Sequence, residues 1–260
     1  MKDLEILIET ETEEDPFIPY SGDSKSFYEL IKEPRLWIWR ENSPANDFGC
    51  KEAIVVATKG CAGAGTVRII CSNGDPVVDI NSMVKRAEQA KREGCIAVCI
   101  DLESFLIREG RAHSEAVYSA IRGTLPLLWA PKAFLVISSF FLNDHLIKHW
   151  HIKDFDAAAR WLGKYGDGQI AWVYSRPNAS DWLRLSALTR SSGNTDLYVP
   201  LGDFAQRTSG GAKTKPFTRT SIENFYNYGH HVGVFMPDSG TWTNVVQNSD
   251  TWKKSVELYG

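Results

Sequence analysis

Two carboxylates one residue apart are the most chemically suggestive pair in this sequence. Asp101 and Glu103 end the apolar run Ile96–Glu103, and the two-residue alternation of a β-strand places them on the same face. Two carboxylates held close together split their pKa values, which leaves one able to donate a proton near neutral pH. They could equally pair with basic groups on neighbouring strands. The pattern therefore predicts either a catalytic pair or a structural ion-pair cluster.

Cationic and polar residues end the other predicted strands. Arg40 and Lys59 end the two strands that precede Asp101, and we expect both to project toward one rim, as an anion-binding counterpart to the acids. Lys59 is also a candidate catalytic amine. Further candidates for ligand binding follow later strands, namely Tyr174, Asp203, Arg207 and Asp238.

Neither a metal nor a cofactor is predicted. His145 and His149 are four positions apart and could share a helix face, but no HExxH-type carboxylate accompanies them, so surface positions are favoured. The glycines of Gly60–Gly65 lack the Lys-Ser/Thr pair that completes a phosphate-binding loop. Any chemistry is therefore expected to rest on side chains alone.

Short apolar runs alternate with helix-like stretches, which is typical of parallel strands joined by crossover helices. Eight such units predict a (β/α)8 TIM barrel, with one domain over residues 1–260 and its site at the carboxyl ends of the strands. The run Thr66–Cys71 is left open as an edge strand or an active-site loop, and Gln206–Thr220 is predicted to be a polar loop. The eight predicted strands are Phe17–Tyr20, Leu36–Arg40, Ala53–Thr58, Ile96–Glu103, Ala133–Ser138, Ile170–Ser175, Leu197–Leu201 and His231–Met236.

Composition limits the class of protein. The chain has 260 residues, a net charge of −3 and no strongly basic stretch, which argues against nucleic-acid binding. No apolar run approaches the length that spans a bilayer, and the acidic start is unlike a targeting peptide. The five cysteines include no CxxC pair, which favours a reducing, cytoplasmic setting. A homodimer stays possible.

Several segments resemble type I 3-dehydroquinate dehydratases. Ile100–Phe105 closely resembles that family's Ile-Asp-Leu-Glu-x-Phe segment, and Ile38-Trp39-Arg40 looks like its Glu-Trp-Arg strand. Ile54–Lys59 is similar to its Thr-Phe-Arg strand, and Ala179–Thr189 to the helix after its sixth strand. The resemblance spans most of the chain and implies a TIM barrel of lyase ancestry that handles shikimate- or quinate-like acids.

Two residues that this family needs have no counterpart here. Its general acid–base histidine falls near Phe140 and its Schiff-base lysine near Ala171, and imine chemistry requires an amine. The resemblance thus implies a barrel that has lost dehydratase chemistry and binds a small polar or anionic ligand or a partner protein.

Two enzymatic alternatives stay open. One is a glycosidase that uses Asp101 and Glu103 as its carboxylate pair. The other is a lyase or dehydratase in which Lys59 takes over the role of the amine.

Overall fold

Eight parallel strands form a closed barrel, as the sequence predicts. The computed structural model describes residues 27–62, 65–71, 79–101, 111–124, 135–139, 157, 165–172, 197–202, 204–205, 208–209, 212–213 and 217–260. Each barrel strand pairs with its neighbours in parallel, and the ring runs β1-β10-β7-β6-β5-β4-β3-β2. The barrel strands are β1 (Leu36–Pro44), β2 (Ile54–Lys59), β3 (Gly65–Cys71), β4 (Ala97–Asp101), β5 (Leu135–Ser139), β6 (Gly168–Trp172), β7 (Leu197–Gly202) and β10 (Val232–Phe235).

The set of barrel strands differs from the sequence prediction at one place. Thr66–Cys71, left open between edge strand and loop, belongs to β3, which pairs with β2 on one side and β4 on the other. With β3 in the ring, the eight strands close without Phe17–Tyr20, which lies outside the described residues. The first barrel strand is therefore the one that carries Trp37 and Trp39. The sequence left the assignment of Thr66–Cys71 open because the charged Arg68 interrupts its apolar run.

Alternation along the strands separates an inner from an outer apolar cluster. Trp37 and Trp39 of β1 face the barrel interior with alternate residues of β2, β3, β4 and β7. Leu36 and Ile38 of β1 belong to a second cluster, which packs beneath the helices. This two-sided burial is the reason that the strands read as continuous apolar runs.

Helices cover the outside of the barrel. The described helices are α1 (Phe27–Ile31), α2 (Ile80–Arg92), α3 (Arg111–Thr124), α4 (Arg219–Asn227), α5 (Gly240–Asn248) and α6 (Asp250–Tyr259). In α2, the Asp79 carboxylate caps the first turn by accepting from the Ser82 N–H at 3.0 Å, and Gly94 follows the helix with φ +80°. The Asp79 cap and Gly94 define where α2 begins and ends. None of the described helices is long and apolar enough to cross a membrane.

The predicted polar loop Gln206–Thr220 contains more structure than expected. Two short antiparallel strands, β8 (Thr208–Ser209) and β9 (Ala212–Lys213), pair within it. Helix α4 begins before the loop's predicted end, with the Thr218 side chain as its cap. The segment is thus a small hairpin that follows β7 and leads into α4.

The connection between β2 and β3 is direct and has no helix. Only five residues separate Lys59 from Gly65, whereas a parallel crossover normally takes a dozen or more. Five residues reach at most about 18 Å, roughly the length of one strand. The connection therefore has no room for a helix, and its described residues Cys61 and Ala62 pack against the outer cluster. Gly60 makes the initial turn with φ +77°, a left-handed conformation that favours glycine.

Outward side chains of β3 hold this direct crossover in place. The Arg68 guanidinium donates to the Gly60 carbonyl at 3.0 Å and pairs with the Glu93 carboxylate at the end of α2. The Thr66 hydroxyl accepts from the Ala62 N–H at 2.8 Å. Polar side chains of β3 thus satisfy backbone groups that a crossover helix would satisfy internally.

Replacing Arg68 tests this arrangement. Arg68→Met keeps the apolar length of the side chain but leaves the Gly60 carbonyl and the Glu93 carboxylate without this cation. We expect a loss of about 2–4 kcal/mol in the free energy of unfolding, measured by urea denaturation. Arg92→Met is the matched control, since the exposed Arg92 makes its hydrogen bonds among the described residues to Gln89 in its own helix and should change stability by less than about 0.5 kcal/mol. Equal effects of the two substitutions would contradict the assigned role of Arg68.

Candidate active site

Asp101 faces the interior at the carboxyl end of β4. Ala97 and Cys99, which precede it in the same alternation, both belong to the inner cluster. The Asp101 side chain is only 2% exposed, and its backbone pairs with Ser138 of β5. A carboxylate is seldom this buried without a function or a partner. The alternation of β4 therefore places Asp101 on the inward face, while its pairing with Glu103 stays a prediction, because Glu103 lies outside the described residues.

Glu41 is a second inward carboxylate, and the sequence analysis missed it. It follows Trp37 and Trp39 in the alternation of β1, and the Trp39 side chain interacts with its carboxylate. The apolar pattern predicts a strand that ends at Arg40. In the structure the strand continues to Pro44, through a register shift and a left-handed residue, Asn42 with φ 61°. Extending the two-residue pattern one step past Trp39 would have found it.

The ends of β1 and β10 bring Glu41 close to a second acid. Asp238 follows β10 and accepts a hydrogen bond from the Ser43 hydroxyl. Burial raises the pKa of Glu41, and the negative charge of Asp238 raises it further, while the Trp39 indole lowers it. Glu41 therefore has the environment of a proton donor, held beside a carboxylate at the barrel mouth.

The comparisons with known proteins return glycoside hydrolase barrels among solved structures. The glycoside hydrolase domain of a PelA variant from Pseudomonas aeruginosa matches with a TM-score of 0.46 and 12% identity, covering 81% of this chain and 96% of that one. An endo-β-N-acetylglucosaminidase from Cordyceps militaris matches with a TM-score of 0.41 and 12% identity, covering 87% and 79%. BpGH50 matches with a TM-score of 0.32 and 10% identity, covering 76% and 51%. No family model and no curated protein sequence matches the chain.

The two cationic candidates do not join the inward carboxylates. Arg40 shares the outward alternation of Leu36 and Ile38, and its guanidinium lies 5.0 Å from the centre of the Phe48 ring. Lys59 is exposed and follows the outward residues of β2. Arg40 and Lys59 were expected to project toward the rim together with the acids, but each continues the outward alternation of its own strand, so both side chains lie on the outer face.

Arg40 nevertheless lies near one of the predicted acids. Its guanidinium donates to the Pro237 carbonyl at 3.5 Å, and burial lowers the pKa of Arg40, an effect that the negative charge of Asp238 partly offsets. Arg40 and Asp238 thus lie close together where β1 and β10 end. The Arg40 guanidinium therefore contacts the end of β10 from the outer face of the barrel.

Several predicted site residues lie outside the described part of the chain. These are Glu103, Tyr174, Asp203 and Arg207; His145 and His149, for which surface positions were favoured, also lie there. Among the residues that the structure does describe, no group of three or more His, Cys, Asp or Glu side chains is placed to hold a metal ion.

An open groove lies beside the rim, where β7 and β10 lead into the last helices. It has a volume of about 750 Å³ and combines apolar and neutral polar groups. Its lining residues are Phe204, Ala205, Thr241, Asn244, Val245, Asn248 and Ser249. The groove extends the polar surface around the mouth without adding charge.

The raised pKa of Glu41 gives a direct test of the site's electrostatics. Asp238→Asn removes the negative charge that opposes ionisation, so we expect the pKa of Glu41 to fall toward its ordinary value. The side-chain carboxyl carbon of Glu41, followed by NMR through a pH titration with a Glu41→Gln sample for assignment, measures it. Asp47→Asn is the control, because Asp47 acts on Cys50 and is not among the groups that shift Glu41. A pKa that stays unchanged in Asp238→Asn would contradict the proposed coupling.

Proposed function

We propose that this protein is a glycoside-hydrolase-type enzyme in which Glu41 and Asp101 are the working carboxylates. The observation that carries the proposal is that both acids project inward at the carboxyl end of one closed barrel, above an apolar interior. Hydrolysis of a glycosidic bond requires one carboxylic acid to protonate the leaving oxygen and one carboxylate to assist at the sugar carbon. Glu41 takes the place that the sequence analysis gave to Glu103.

Glu41 is the proposed general acid. A general acid must hold its proton until the glycosidic oxygen is in place, and a raised pKa provides this. Burial and Asp238 both act in that direction. In the proposed step, the Glu41 carboxyl donates its proton to the leaving oxygen as the bond to the sugar carbon breaks, and the carboxylate then remains beside Trp39.

Asp101 is the proposed assisting carboxylate. Its near-complete burial at the end of β4 removes competing water and strengthens its electrostatic effect on positive charge that develops at the sugar carbon. Trp37 and Trp39 form part of the apolar interior beneath the mouth. Asp101 would act either as nucleophile or as base toward a water molecule.

The dehydroquinase-like binding function is the second candidate. It relies on a cation to hold an acidic ligand, but Arg40 lies over Phe48 on the outer face and Lys59 is exposed. In the described part of the mouth the charged inward groups are carboxylates, which favours a neutral or cationic ligand over an anionic one. The same geometry weakens a lyase mechanism that uses Lys59.

Carboxylate removal tests the hydrolase proposal. We expect Glu41→Gln and Asp101→Asn each to lower kcat by about 10²–10⁴-fold on a cleaved glycoside, found by screening aryl glycosides and polysaccharides. Lys59→Gln is the control and should leave kcat within about twofold. We expect kcat of the wild-type enzyme to fall at alkaline pH, as Glu41 loses its proton, and this fall should be absent in Glu41→Gln.

A stability measurement separates loss of function from loss of fold. The pKa of Glu41 is higher in the folded than in the unfolded chain, so the stability from its protonated form is present at low pH and lost as pH rises through the folded pKa. Glu41→Gln should therefore unfold at an equal or higher Tm than wild type at pH 7, while kcat falls. Absence of turnover across the panel, or equal loss in Lys59→Gln, would overturn the proposal. Ligand-induced stabilisation by quinate-like acids without turnover would favour the second candidate.

A further inference from the structure

Two cysteine thiols meet where the direct crossover passes the start of β4. The Sγ atoms of Cys61 and Cys95 are 3.7 Å apart. Cys61 lies in the crossover and is partly exposed, whereas Cys95 is buried between α2 and β4. Both thiols are free, and they are 34 positions apart in the sequence. The pair therefore joins two otherwise separate connections on the outside of the barrel.

The surroundings of the pair make its two members unequal. The hydrogen bond with Cys95 is the largest influence on Cys61 and lowers its pKa to about 7, with Arg68 adding to the effect and burial opposing it. The same contact, together with burial, raises the pKa of Cys95. Glu93 raises both values, and its carbonyl accepts from the Cys61 thiol at 2.7 Å. Cys61 is thus suited to be the attacking thiolate and Cys95 the second thiol.

We propose that Cys61 and Cys95 are a reversible modification site, which closes to a disulfide when the protein meets a hydroperoxide. The Cys61 thiolate attacks one peroxide oxygen, the O–O bond breaks, and Cys61 becomes a sulfenic acid as hydroxide leaves. Cys95 then attacks the Cys61 sulfur, its thiol proton passes to the departing hydroxyl, and water leaves. The two sulfurs lose two electrons in total, and the peroxide gains them. A small dithiol reverses the step by thiol–disulfide exchange.

The direct crossover makes closure geometrically accessible. A disulfide needs the two sulfurs to approach from 3.7 Å to about 2.05 Å. Cys95 is held by its backbone bond to Ala90 at 2.9 Å and by the β4 strand that follows. Cys61 lies outside any helix or strand, between Gly60 and Ala62, which bond to side chains of β3. Cys61 is therefore the partner that moves.

The other cysteines provide an internal comparison. Burial and Asp47 raise the pKa of Cys50, and Cys99 lies within the inner cluster of the barrel. Cys50, Cys71 and Cys99 are all buried, whereas Cys61 is partly exposed. Peroxide should therefore select Cys61, and with it Cys95, over these three buried thiols.

Peptide mapping after mild oxidation tests the pairing. The full chain, reduced and then treated with a few equivalents of hydrogen peroxide at pH 7.5, should lose two hydrogens and give a Cys61–Cys95 cross-linked peptide that dithiothreitol removes. Cys95→Ser should instead accumulate a sulfenic acid on Cys61 that dimedone traps, and Cys50→Ser should cross-link as wild type does. A cross-link between other cysteines, or oxidation of Cys61 straight to sulfinic acid in wild type, would overturn the proposal.

Two further measurements need no cysteine variant. The oxidised protein should unfold at a Tm higher by about 5–10 °C, because the bond closes a loop in the unfolded chain. Iodoacetamide at pH 7 should label Cys61 at least about tenfold faster than Cys50 in the reduced protein. An unchanged or lower Tm after oxidation, or equal labelling of the two thiols, would count against the assignment. Because neither measurement involves glycoside turnover, the outcome is independent of the proposed function.

Discussion

The parallel pairing of β1 with β10 is the contact on which the rest of the barrel depends. It joins Leu36 to Val232 across nearly the whole chain and turns an open sheet into a ring. His231 anchors this seam from below, because its Nδ1 accepts from the Arg35 backbone N–H at 3.0 Å and from the Trp37 indole at 3.3 Å. Closure fixes which residues face inward, and it brings the end of β10 against the end of β1. The electrostatic environment of Glu41 is a product of that seam.

The fold could be predicted from local patterns, whereas the site depended on counting alternation correctly. Continuous apolar runs identified seven of the barrel strands, since burial on both faces leaves an unambiguous signal. The strand around Arg68 was harder because its outward polar residues serve the crossover. Asp101 was found because it ends an apolar run, while Glu41 was missed because a left-handed Asn42 and a register shift disguise the end of β1. Backbone irregularities of this kind depend on tertiary pairing and leave little trace in composition.

Apolar side chains fill the interior of the barrel, whereas the proposed catalytic carboxylates lie at the carboxyl ends of its strands. The inner cluster is apolar through its depth, with the carboxylates Asp101 and Glu41 at the carboxyl ends of β4 and β1 and His231 below it at the amino end of β10. Burying Asp101 and Glu41 there costs solvation free energy that the surrounding apolar packing must offset. Arg40 and Lys59 remain on the outer side, where water or an aromatic ring accommodates them at little cost. In the described part of the mouth the inward charged groups are therefore acidic, whereas the outer face of β1 and β2 carries Arg40 and Lys59.

The missing helix between β2 and β3 also shapes the order in which the chain can assemble. Ile54 pairs with Gly65, and Trp37 pairs with Ile54, so these three strands join residues only about 10–20 positions apart, at small cost in loop-closure entropy. The β1–β10 seam must wait until almost the entire polypeptide is in place. We therefore expect β1, β2 and β3 to form an early sheet against which later strands are added, with ring closure as the final, slowest event.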